Sequence, residues 1–302
     1  MQDNDFAMEQ RLLRLNPDLH RRFTSAVFAL HRNLDNYKLI FPEYTDHTNL
    51  HSLTVIDFCN RLIGGRIGQL NADQLYVLLV SCYFHDTGMG ITMKDYEEFS
   101  QQIDFGDYFE THSRDDLPAV IRTFHHEFSG RFIRKYAALF DIPTPEHEWA
   151  VIQVSRGHRR TDLMDERGYP ADFRVPDGNQ LCLPYLASLI RLADEIDVAA
   201  PRNPMLLYDI EALADEIQII ENKKVKAVRR LVMSDSAFTL QVSTPEAEIL
   251  ERIRRMVEKM QATLDYCRAV VSQRTPFEIT QEKVLLDIQD EETGESPDGS
   301  GR

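Results

Sequence analysis

The stretch "SCYFHDTGMG", residues 81–90, closes an apolar run with a histidine and an aspartate side by side. Leu78, Leu79, Val80 and Phe84 precede His85 and Asp86. An imidazole and a carboxylate carried to the buried end of a helix cost free energy unless each finds a partner. The dipeptide alone leaves the partner open, and the answer depends on what else the chain can bring to that point.

Helical patterning surrounds the pair. One helix runs from Asn71 to His85-Asp86. The helix before it begins near Thr48, carries Leu50, Leu53, Ile56 and Ile63, and stops at Gly64-Gly65. Earlier still, Asn16-Pro17-Asp18 reads as a cap followed by proline at the first helical position. Leu19, Phe23, Val27, Leu30 and Leu34 then repeat at helical spacing, and "FPEYTD" (41–46) breaks that helix. After the pair, residues 87–116 are polar and dotted with aromatics, which predicts a lid or an irregular functional loop. Helix resumes around 118–140. Thr144-Pro145 caps another helix, a second loop spans 161–182, and "LPYLASLIRLADEID" (183–197) is an amphipathic helix.

Past Pro201 and Pro204 the texture changes. "EIQIIE", "VKAVRRLVM" and "AFTLQVS" read as short strands, "PEAEILERIRRMVEKMQATLDYCRAVVSQ" as one long helix and "FEITQEKVLLDI" as a last strand. The apolar stripe of the long helix is expected to be core. The fold class that follows is mainly α. A helical bundle is expected over residues 1–204, a small α+β extension over 205–290 and a disordered acidic tail over 291–302.

Composition narrows the function. A net charge of −15 over 302 residues disfavours long duplex nucleic acid as a partner, while small phosphorylated molecules remain open. No apolar run approaches the roughly 20 residues of a membrane span, so no membrane insertion is expected. The N-terminal "MQDNDFAMEQ" shows no signal peptide. The four cysteines form no CxxC pair, which predicts buried thiols in a reducing cytoplasm.

Other histidines and acids also close or interrupt apolar helices: His51, the adjacent His125 and His126, His158, and Asp194 between Leu192 and Ile196. Any one of them could be a core residue with a single hydrogen bond, and Asp194 could pair with Arg191 or Arg202. Taken together, imidazole nitrogen and carboxylate oxygen form a donor set that suits zinc, manganese, iron or nickel. The absence of thiolate argues against a structural zinc knot. Donors from separate helices fit a site in a bundle core.

His51, then His85-Asp86, then Asp194 resemble the H…HD…D signature of the HD-domain metal-dependent phosphohydrolases. "YTDHTNLHSLTV", "YFHDTGMG", "HHEFSG", "SRGHR" and "LIRLADEID" occur in the order of one HD subgroup, the one found beside chaperone-type ATPase domains. The resemblance covers roughly residues 40–202. It implies that His51, His85, Asp86 and Asp194 hold one divalent metal. It further implies that His126 and His158 add a second, with Asp86 bridging, and motif spacing favours His126 over His125. One or two ions of Mn, Fe, Ni, Zn or Co are expected, with Mg as a further option. The lysine that follows the dipeptide in some active members is missing, since Thr87, Gly88 and Met89 come next.

For catalysis the resemblance puts Asp86 at the nucleophile. Among nearby cations, Arg156, Arg159, Arg160 and Lys94, the phosphate binder is expected to be Arg159, next to His158. His47 is read either as a general acid or as a helix cap with Asp46, and Glu127 either as a proton acceptor or as a solvated carboxylate. "RGYP" (167–170) is expected to be only a turn, and "GGRIG" (64–68) lacks the residues of a P-loop. The implied function is hydrolysis of a small phosphorylated or nucleotide-like substrate, with a homo-oligomer or an ATPase as partner. The alternatives are a non-catalytic nucleotide- or metal-sensing or docking module, and an HD-type di-iron oxygenase.

Overall fold

The computed structural model describes residues 6–34, 49–198 and 216–289. In chain order the helical part comprises α1 (Ala7–Leu15), α2 (Pro17–Leu34), α3 (Asn49–Ile63), a 3-10 turn (Gly64–Gln69), α4 (Ala72–Phe84), a second 3-10 turn (Thr87–Gly90), α5 (Met93–Ser100), α6 (Tyr108–Thr111), α7 (Leu117–Tyr136) and α8 (Pro145–Arg156). A two-stranded hairpin, β1 (Phe173–Arg174) and β2 (Gln180–Leu181), leads into α9 (Leu183–Glu195). Then follow α10 (Glu216–Ala227), β3 (Val228–Met233), β4 (Ala237–Val242), α11 (Ala247–Arg274) and β5 (Lys283–Ile288). The protein is mainly α, with its one larger sheet near the C-terminus. Among the described residues no helix is long and apolar enough to cross a membrane.

The local chemistry explains the helix ends. Asn16 Oδ1 accepts the Leu19 amide at 3.1 Å ahead of Pro17. Asn71 and Gln74 form a reciprocal capping box at the start of α4. The helix α3 stops where Gly64 takes a φ of 54°, a conformation that costs glycine nothing.

Every residue of α4 from Asp73 to Phe84 is buried, as expected of a helix that is apolar all round. It packs against α1, α2, α3, α8 and α9. Its continuation, the His-Asp pair, is therefore delivered inside the bundle rather than to its surface.

Residues 87–116 are not the irregular loop their polarity suggested. Residues 87–91 are buried, and α5 and α6 follow. The aromatics act as anchors: Phe105 and Tyr108 meet Phe124 of α7 edge-on at 4.9 and 5.1 Å. Asp95 ties α5 to α7 by accepting from Lys135 Nζ at 2.8 Å and Tyr136 Oη at 3.1 Å.

In the C-terminal sheet β4 is central, antiparallel to β3 and parallel to β5. The parallel pair requires a crossover, and α11 supplies it. Ile249, Ile253, Met260 and Leu264 form its buried stripe, and the helix packs on α9 and β5. "EIQIIE" forms the start of α10 instead of a strand, and β structure begins only at Val228. A short apolar run has no periodicity that separates the two, and packing of α10 on α11 decides for helix. The four cysteines are free and buried. His47, Asp46, Arg202 and the acidic tail from 291 lie outside the described residues.

Candidate metal centre

Five segments converge on one buried cluster. His51 comes from α3, His85 caps α4, Asp86 follows it, His125 lies on α7, His158 sits in the turn after α8, and Asp194 lies in the last turn of α9. His51, His85 and His158 are almost fully buried, and Asp86 and His125 nearly so.

The ring nitrogens show a common arrangement. Nδ1 of His85 lies 2.9 Å from the Cys82 carbonyl, Nδ1 of His125 2.8 Å from that of Arg122, and Nδ1 of His158 2.5 Å from that of Ser155. A carbonyl only accepts, so each Nδ1 carries the proton and donates it. Nδ1 of His51 lies 2.7 Å from Asp197 Oδ2 and donates likewise. Neutral rings held this way present bare Nε2 lone pairs.

Those lone pairs face each other. Nε2 of His51 and His85 are 3.0 Å apart, and Nε2 of His125 and His158 are 2.8 Å apart. With each Nδ1 proton committed elsewhere, two neutral rings cannot hydrogen-bond across either gap, whereas a divalent cation between them accepts both lone pairs. Asp86 stands between the pairs. Its Oδ2 lies 3.5 Å from His51 Nε2 and 3.4 Å from His85 Nε2, and its Oδ1 lies 3.3 Å from His125 Nε2 and 3.5 Å from His158 Nε2. Asp194 Oδ1 joins the first pair, 3.3 Å from His51 Nε2. The cluster thus divides into His51, His85, Asp86 and Asp194 on one side and Asp86, His125 and His158 on the other. Nitrogen and carboxylate donors in these numbers fit one or two divalent ions, and the second group leaves more coordination positions open.

Burial holds the His125 and His158 rings in the form a metal requires. It pushes His125 down to about 3, with Arg159 adding to the effect and Asp86 opposing it. It pushes His158 well below the ordinary histidine range, helped by His85 and His125. Neutral imidazole and ionised carboxylate are the ligating states.

The backbone around the dipeptide is clamped. Ser129 Oγ donates to the His85 carbonyl at 2.6 Å and accepts from Gly88 N at 2.8 Å. The turn at Gly88 lies so close to α7 that a Cβ there would stand 2.1 Å from the His125 carbonyl oxygen. Glycine is required at that contact.

One expected ligand is displaced. His126 does not reach the cluster: its Nε2 lies 3.7 Å from Glu127 Oε1 and its Nδ1 has no hydrogen-bond partner. His125 occupies the place instead. Both histidines are buried on α7, together with Ile121, Phe128, Ser129, Gly130 and Phe132, so burial along the helix does not separate them; the approach of His125 Nε2 to Asp86 and His158 does. Asp197 was also overlooked, although it stands three residues after Asp194 and so shares its side of the chain end. Glu127 is bound by Arg156, with Arg156 Nη2 at 2.5 Å, which removes both from consideration as free groups. Arg160 and Lys94 are exposed.

A cleft of about 460 Å³ opens onto the cluster at Asp86, His125 and Asp194, and Arg122 and Arg159 also line it. Of the four cations considered from sequence, Arg159 alone is in this lining. The cleft's far wall belongs to α10 and α11.

A family model described as HD-CE matches residues 41–276. No curated protein matches the chain.

Proposed function

The chain belongs to the HD-CE family, and from that premise we propose that it is a metal-dependent phosphohydrolase acting on a small phosphorylated or nucleotide-like substrate. The observation that carries this reading is the opposition of two imidazole pairs across a single carboxylate, Asp86. Asp86, His51, His85 and Asp194 would hold one ion, and Asp86, His125 and His158 a second. Bound divalent ions supply Lewis-acid polarisation of a phosphoryl oxygen and lower the pKa of coordinated water.

The chain's own groups do the rest. Asp86, His125 and Asp194 mark the floor where the phosphoryl group docks, because they are the ligands that the cleft reaches. Arg159 and Arg122 meet the charge that builds on the phosphoryl oxygens as the water oxygen replaces the ester oxygen. Arg159 suits this role because its guanidinium has no hydrogen bond or ion pair among the described residues. The departing oxygen takes a proton from solvent, from an imidazole or from His47, which lies outside the described residues. The ordered motifs shared with HD domains found beside chaperone-type ATPases support such an ATPase as partner.

The test joins metal analysis to activity. Purified protein is expected to hold close to two ions per chain, His125→Ala to hold fewer, and His126→Ala to match the parent. A panel of phosphoesters and nucleotides should be hydrolysed by the parent and not by Asp86→Ala. Equal hydrolysis by both would remove the reading.

A further inference from the structure

The cleft is larger than one phosphoryl group needs, and its volume of about 460 Å³ falls in the range of small-molecule sites, roughly 300–1,000 Å³. Its far wall is basic, in a chain of net charge −15. On α11, Arg252, Arg255 and Lys259 follow at i, i+3 and i+7, which lays them along one stripe beside the buried face.

The charges there do not all count equally. Lys259 is matched by Glu195 at 2.9 Å, and Lys224 of α10 by Glu221 at 2.8 Å; all four line the cleft, so these pairs cancel within it. Arg252 and Arg255 differ. Their carboxylates, Glu248 and Glu251, each 3.3 Å away, are not part of the cleft lining. Both pairs are exposed, with arginine side chains at 45% and 68% exposure, and such contacts contribute at most about 1 kcal/mol. A phosphate that accepts two parallel guanidinium bonds displaces them readily.

We propose that the substrate carries a second anionic group beyond the reacting phosphoryl, as in a polyphosphate or multiply phosphorylated small molecule, and that Arg252 and Arg255 bind that group. The proposal rests on the phosphohydrolase reading and specifies its substrate class. The reacting phosphoryl lies at Asp86 and His125, and the remaining charge extends across the cleft to α11. A substrate with one phosphate and a neutral tail leaves both arginines without their ligand.

Calorimetric titration of the full chain in saturating magnesium compares inorganic tripolyphosphate with orthophosphate, in the parent and in Arg252→Gln/Arg255→Gln. Magnesium chelation is common to both proteins and cancels in the comparison. The parent should prefer tripolyphosphate by about tenfold or more, and the double variant by no more than about twofold. Thermal unfolding checks that the variant folds, and Arg255→Gln alone should lower the preference part of the way. Absence of preference in the parent, or its retention in the double variant, overturns the proposal. The hydrolysis test separates the two readings. A chain that hydrolyses nothing yet shows the arginine-dependent preference loses the catalytic reading only, and one that hydrolyses monoesters without preference loses the subsite only.

Discussion

Replacing Gly88 with alanine adds one methyl group that touches no ligand, yet it should disable the metal centre. The added Cβ would stand 2.1 Å from the His125 carbonyl oxygen and 2.8 Å from Ser129 N, and real Cβ contacts essentially never fall under 3.0 Å. Both obstacles are helix backbone and cannot swing aside. The turn and α7 must separate by about an ångström, which is about the error that costs a preorganised site some hundredfold in function. The shift also strains the Ser129 bridge between His85 O and Gly88 N. Overpacking of this kind costs about 1–3 kcal/mol, and a chain of this size loses roughly 2–4 °C of melting temperature per kcal/mol. Gly88→Ala should therefore fold, melt several degrees lower and bind metal about 10–100-fold more weakly. Circular dichroism and chelator competition measure the two effects. A variant with parental metal affinity would refute the claim that this turn sets the spacing of Asp86 and His125.

Asp197→Ala removes the acceptor of His51 Nδ1 and should weaken metal binding by about 10–100-fold, while the buried donor left unpaired costs about 1–3 kcal/mol of stability; competition against a chelating indicator reads the first effect, and an unchanged affinity would show that His51 is aimed by packing alone. Asp95 contributes to acid stability: burial acts to raise its pKa, but hydrogen bonds from Lys135, Thr92 and Tyr136 prevail and hold it below its ordinary value of 3.8. A carboxyl depressed in the folded state contributes stability above the unfolded pKa and loses it as pH falls through the folded one. Asp95→Asn should thus melt lower than the parent at neutral pH, the gap closing below about pH 4; melting curves that stay parallel across that range would contradict it.

The helices were legible because their signals are local. The Asn71 cap, the Gly64 stop and the unbroken apolar run of α4 each act within a few residues. Residues 87–116 misled because their polarity is real at the surface, while their aromatics are spent on α7, a contact invisible until the chain folds back. "EIQIIE" misled because six residues do not fix a period. In the site, His51, His85, Asp86, His158 and Asp194 meet as their motifs suggested. The choice between His125 and His126 turned on about 100° of helical rotation. Motif spacing does not fix that angle, and neither does burial, since both rings are buried on α7; the packing of α7 against the turn at Gly88 decides it.

The way the imidazoles are aimed has a consequence for how the centre senses the rest of the chain. His85, His125 and His158 each lean on a carbonyl three residues earlier in their own segment, so their directions are inherited from local backbone. His51 alone takes its aim from a residue 146 positions away, just past the end of α9. Loosening of that distant end frees one ring of four and leaves the others in register.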